Sequence, residues 1–159
     1  MGHVIEVRKS SRSRSIERRR LERLTRRVVR VVLDGENLSN PEVGVWFVDD
    51  PTIRQLNRRY RGVDRPTDVM AFPLADADER REHGVVLGDV VVSVPTAGRQ
   101  ARSLGHPLEA ELALLLIHGV LHLLGYEHEG PSAARRVMRR QERKYLVLCN
   151  VRSIEHLPP

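Results

Sequence analysis

The sequence predicts an α+β domain: a small mixed four-stranded sheet packed with helices, one of them carrying a metal site. Three observations lead there. Residues 4–7, 43–48, 68–72 and 85–93 are short runs rich in valine and other apolar residues, with the character of strands. Between and after them lie segments with helical spacing and with residues that start and stop helices. One run, residues 112–117, is apolar on every side, as a helix in the centre of a protein must be. No internal repeat is present, and the pattern leaves the strand order open. The 159 residues are long enough for one domain with its own core, 1–159, in which about 150–159 form a loose tail.

The elements follow in order. After the first strand, residues 10–14 alternate serine and arginine and read as a loop. Ser15 suits an N-cap, and the helix behind it places Leu21, Leu24, Val28 and Val31 on one face. Arg18, Arg19, Arg23, Arg26, Arg27 and Arg30 mostly take the other face, which suits RNA or solvent. Residues 35–41 are rich in turn formers and end it. Asp50-Pro51 opens a short helix with Ile53, Leu56 and Tyr60 inward, closed by Gly62 with Arg61 at its end. The polar stretch 75–83 between the third and fourth strands reads as a mobile loop. A helix over 95–104 stops at Gly105. The last helix, 131–148, buries Ala134, Val137, Met138 and Tyr145 and exposes Arg135, Arg139 and Arg143.

The chain is organised around residues 107–130. Pro107 suits a first helical position, and Glu109 and Glu111 lie where the helix dipole favours acids. His118 and His122 are four apart and so share one helical face. Gly125 can take the left-handed conformation that ends a helix. The chain then folds back and brings His128 to the other two. Three neutral imidazoles with a fourth position left open match the protein half of a catalytic zinc site. The spacing equals that of the long zinc-protease motif H-E-x-x-H-x-x-G-x-x-H, with Gly119 in place of the glutamate base. The missing side chain removes the peptidase's base and is expected to leave room beside the metal.

Composition narrows the class. The formal charge is +6 and the sequence pI about 10.4. Of the 27 basic residues all but Lys9 and Lys144 are arginine, the side chain best suited to phosphate. Such a balance supports a polyanionic partner. Cys149 is the only cysteine, so no intrachain disulfide forms and a reducing cytoplasm is the expected home. No apolar run reaches the roughly 20 residues of a membrane span, and the first nine residues lack a secretory signal's apolar middle.

His118-Gly-Val-Leu-His122-Leu-Leu-Gly125-Tyr-Glu-His128 resembles the signature of the YbeY family, zinc-dependent endoribonucleases of ribosomal RNA maturation. Tyr60-Arg-Gly-Val-Asp64-Arg-Pro66-Thr67-Asp68-Val-Met-Ala-Phe72-Pro73 and Leu87-Gly88-Asp89-Val90 are similar to its other motifs. The match runs from about Val4 to about Leu148. Met70 and Ala71 depart from it, standing where leucine and serine are expected. The resemblance implies a reduced zincin-like fold and one zinc ion held by His118, His122 and His128. It further implies a single-strand-specific nuclease acting on ribosomal RNA (the 3′ end of 16S rRNA) and in ribosome quality control, with ribosome-associated protein partners. Arg61 is then the catalytic arginine that stabilises charge on the scissile phosphate. A salt bridge to Asp64 or Asp68 is the structural alternative for it, and Arg65 a second candidate. Asp89 reads as a residue that orients a histidine N–H, or as an aspartate at a bulge marked by Gly88. Glu127 and Glu129 flank the last ligand. Two rival functions remain at this stage: a zinc hydrolase of peptides or other amides, and a ribosome-associated binding protein with structural zinc.

Overall fold

A computed structural model describes residues 2–10 and 15–151. The strands are β1 (Val4–Lys9), β2 (Glu42–Val48), β3 (Val69–Pro73) and β4 (Val86–Ser93). The helices are α1 (Ser15–Gly35), α2 (Asp50–Arg61), α3 (Val94–Leu104), α4 (Leu108–Leu123) and α5 (Ser132–Leu148). The expected α+β class with a mixed four-stranded sheet is what the chain adopts. Its order is β1-β2-β4-β3, with β1, β2 and β4 parallel and β3 antiparallel to β4. Residues 11–14 of the expected loop at 10–14, the capping side chain of Ser15 and the tail beyond Val151 lie outside the described residues.

The two faces of the sheet differ. Ile5, Val43, Val45, Phe47, Val90 and Val92 point to one side, into the main core with Val28, Val32 and the apolar residues of α4. Residues one step away in each strand point to the other side. There α2 adds Ile53 to a small cluster of Val48, Met70 and Val91. Helix α4 packs against β3, β4, α1, α3 and α5, which is why its sequence is apolar all round. It turns from α3 by 118°. Among the described residues no single helix is long and apolar enough to cross a membrane.

Several details differ from the expectations. Pro107 precedes α4 in an extended conformation rather than opening it. Tyr60 is 57% exposed, because the inner stripe of α2 is Ile53 and Asn57. In α5 the buried stripe is Met138, Glu142, Tyr145 and Leu146, and Val137, about 100° round from Met138, is 40% exposed. The stretch 75–83 is tied down: Ala75 is buried, Asp76 accepts from the backbone of Asp78 and Glu79, and a 3₁₀ turn follows at Glu79–Arg81. Arg81 donates to the Glu36 carbonyl at 2.9 Å.

Candidate metal centre

Helix α4 carries His118 and His122 to the edge of the sheet, where both are half-buried. The helix ends as its sequence predicts. Gly125 takes φ 92°, Gly125 N donates to the His122 carbonyl at 3.0 Å and Tyr126 N to that of Leu121 at 3.0 Å. The Tyr126 hydroxyl then anchors the turn, donating to buried Glu36 at 3.0 Å. The same carboxylate accepts from the Tyr145 hydroxyl at 2.6 Å. Glu36 just past α1 and Tyr145 of α5 thus hold the turn that returns His128.

The three predicted histidines meet. His118 Nε2 lies 3.0 Å from His122 Nε2, which lies 2.6 Å from His128 Nδ1. In a tetrahedral site with bonds of about 2.0–2.1 Å, ligand nitrogens stand about 3.3 Å apart, so the cluster has the size of a metal shell. Its protons are disposed to match. The carboxylate of Glu142, on α5, lies 2.5 Å from His118 Nδ1, so the ring proton sits there and Nε2 presents its lone pair. Burial first, then the neighbouring His118 and His128, lowers the pKa of His122 from 6.5 to about 4 and keeps it neutral. The group fits a metal ion.

Glu142 was not legible as a site residue. The available signal was an acid within the apolar stripe Met138–Tyr145 of α5, at a position that turns out 7% exposed. It takes the orienting role expected of Asp89. Asp89 instead projects from the opposite face of the sheet, its Oδ1 over Gly44, where a Cβ would come within 2.0 Å. The bulge expected beside it is present: the β2–β4 register shifts between Glu42 and Val43, and Gly88 has φ 136°.

Arg61 reaches the site from the end of α2, where Gly62 in the left-handed conformation closes the helix. Its Nη2 lies 3.7 Å from Glu129 Oε1, and the same oxygen lies 3.6 Å from His128 Nε2. Neither predicted partner pairs with it. Asp64 takes Arg54 through contacts of 2.9 and 3.1 Å, and Asp68 accepts from Gln100 and the Val69 backbone. Arg65 lines a neighbouring depression with Thr67 and Gln100. Ala71 is half-buried against the main core, and Met70 is buried in the smaller one.

One expectation about Gly119 is corrected. A Cβ there would come within 2.5 Å of Val90 Cγ1 and 3.4 Å of Val69 Cγ2. Val90 fills the direction a side chain would take, so the glycine lets α4 lie close on β3 and β4, and only its bare backbone lines the cavity beside the histidines. Cys149 is buried in the core, where burial pushes its thiol pKa up, and it is not one of the converging groups.

Arg61, Glu127 and the histidines line one end of a cavity of about 1400 Å³, which continues over the sheet. Comparison with known proteins places the chain as a whole. The family model described as Endoribonuclease YbeY matches residues 6–150. Endoribonuclease YbeY of Pelotomaculum thermopropionicum is 46% identical over 131 residues, 80% of this chain and 86% of that protein. The protein of the same name from Aquifex aeolicus is 46% identical over 114 residues, 70% of this chain and 73% of its own length. The solution structure of TM1509 from Thermotoga maritima superposes with a TM-score of 0.66 at 29% identity, covering 98% of both chains. With the family model spanning nearly the whole chain, and the histidine cluster formed by the motif that carries the resemblance, this protein belongs to the YbeY endoribonuclease family.

Proposed function

We propose that this protein is a zinc-dependent, single-strand-specific endoribonuclease. Its role is in ribosomal RNA maturation, at the 3′ end of 16S rRNA, and in ribosome quality control in the cytoplasm, alongside ribosome-associated proteins. The observation that carries the reading is the convergence of three imidazole nitrogens at one end of a cavity whose rim holds Arg61, in a chain of this family. The donor set, three imidazoles with room for a substrate, is that of catalytic zinc rather than of a closed structural site. When bound, zinc supplies Lewis acidity and a water activated near neutral pH.

The residues of the chain do the rest. His118, His122 and His128 offer converging ring nitrogens, and Glu142 pairs with His118 Nδ1. Arg61 is half-exposed, and its contact to Glu129 is long, at 3.7 Å. A phosphate offers the guanidinium fork a better partner than this solvated carboxylate, so substrate displaces Glu129 and gains a donor pair. Position 119 supplies no carboxylate to serve as a peptidase's base.

The test is cleavage by purified, metal-defined protein of single-stranded RNA, duplex RNA and peptides. Single-stranded RNA alone is expected to be cut, with loss on chelation and return with zinc. Chelator-sensitive peptide turnover without RNA cleavage would reverse the assignment.

A further inference from the structure

Strand register places two rows of side chains on the face of the sheet that α1 and α4 leave uncovered. Glu6 pairs with Gly44, Gly44 with Asp89 and Asp89 with Phe72; two residues along, Arg8, Trp46, Val91 and Met70 form the next row. Helix α2 covers Val91 and Met70, at the β3 end of the second row. The remainder is open. Trp46 is 38% exposed on the second strand of the sheet, although tryptophan is ordinarily well buried. Phe72 is half-buried and carries the exposed Tyr60 ring edge-on, with centroids 5.0 Å apart. Between the two aromatic positions lies a floor without a side chain at Gly44, crossed by the Asp89 carboxylate.

This face and the histidine cluster belong to the same cavity. Cations mark both ends of it. Arg8 and Arg18 line it at the far side, and Arg61 and Arg80 at the histidine end. Arg80 has no carboxylate partner among the described residues, and its buried Nε has no acceptor. Its guanidinium lies in the space that a Cβ on Gly125 would fill, so the glycine that stops α4 also makes the seat for this arginine.

We infer that this open sheet face is a binding site for single-stranded RNA. A nucleobase stacks on Trp46, Asp89 accepts from a base N–H, and Arg80 holds the backbone phosphate next to the metal centre. The inference rests on the nuclease reading above and specifies how substrate reaches the site. A four-stranded sheet with exposed aromatics is a known kind of platform for splayed bases, and a basic rim that follows the backbone is its usual companion. Arg80, which no carboxylate pairs among the described residues, and continuity with the histidine cluster favour RNA over a protein occupant.

The chain has one tryptophan, so its fluorescence reports on this face alone. Zinc-loaded, full-length protein is mixed with an oligouridylate and read before turnover. Quenching of Trp46 is expected, whereas inorganic polyphosphate, which has charge but no bases, is expected to bind without quenching. Trp46→Ala should raise KM by about 5- to 150-fold, the range for one stacked base, with a smaller change in kcat. Its zinc content should stay unchanged, and Trp46→Phe should recover most of the loss. Arg80→Ala should raise KM and flatten the salt dependence of binding. A silent tryptophan together with wild-type KM in Trp46→Ala, while RNA is still cut, would overturn the platform and leave the nuclease standing. Quenching without any RNA cleavage would keep the platform and sink the activity. A tryptophan that responds only to RNA-free ribosomal proteins would reassign the face to a protein and overturn the inference.

Discussion

At the scale of single residues, the metal centre depends on which nitrogen carries each proton. His122→Ala removes the ring whose nitrogen faces both others. It is expected to lose most of the bound zinc by elemental analysis, and with it the stability that metal binding adds to the native state. Glu142 acts one step further out. Glu142→Gln keeps an acceptor for His118 Nδ1 but loses the charge, and Glu142→Ala loses both. Zinc affinity by competition with a chromophoric chelator should fall in that order, by about 10- to 100-fold for the alanine variant. Equal affinities in all three proteins would leave Glu142 a packing residue only. Arg61→Ala should retain zinc and fold and lose most RNA cleavage. Arg61→Lys should restore part of it, since an ammonium lacks the bidentate fork. Normal cleavage by Arg61→Ala would remove this arginine from the mechanism.

At the scale of elements, Gly119 decides how close α4 comes to the sheet. A methyl group there meets Val90 at 2.5 Å, so Gly119→Ala should cost about 1–3 kcal/mol of stability from overpacking. That outweighs the gain of up to about 1 kcal/mol from replacing a helical glycine. Val90→Ala in the same chain makes the space, and the double variant should recover part of the loss, a coupling that denaturant melts of all four proteins would reveal. A simple sum of the two single effects would show that α4 does not press on β4. The same contact explains why Gly119→Glu is a poor probe of chemistry: its first effect is on the fold. The turn after α4 is secured from elsewhere, by Tyr126 on Glu36, so His128 is positioned by the end of α1 and by α5 as well as by the helix it follows.

At the scale of the molecule, charge and protonation set the working conditions. The six named arginines of α1 are exposed. Arg26 is partly committed to the fold, pairing with Glu22 and donating to the Ile5 carbonyl at 2.9 Å. RNA binding by so basic a chain should weaken linearly in log–log form with salt. Acid should act through His122. Its pKa in the folded, metal-free protein is lowered from 6.5 to about 4, chiefly by burial. Between those values the unfolded chain binds more protons, so stability rises with pH there and is lost as pH falls from about 6.5 towards about 4. Melting temperatures of the chelated protein should decline over that window, and His122→Ala should flatten the decline. An unchanged slope in the variant would place the acid sensitivity elsewhere.

What the sequence alone determined was local. Helix and strand periods, the glycine stops at Gly62, Gly105 and Gly125, and the spacing of His118, His122 and His128 are relations within a few residues. Such relations are enforced by backbone geometry wherever the chain goes, which is why the α+β class and the cluster of His118, His122 and His128 were legible. Tertiary packing decided what depends on partners distant in the chain. Glu142 became the support of His118 because α5 crosses α4 there, 24 residues on. Arg61 faces Glu129 and not Asp64 or Asp68, which other side chains claim. Gly119 was read as open space, yet it is filled by Val90 from the neighbouring strand. The row that sets Gly44, Asp89 and Phe72 side by side exists only through the β2-β4-β3 order. Strand order follows from which apolar faces can be buried together, a property of the whole chain that no single stretch encodes.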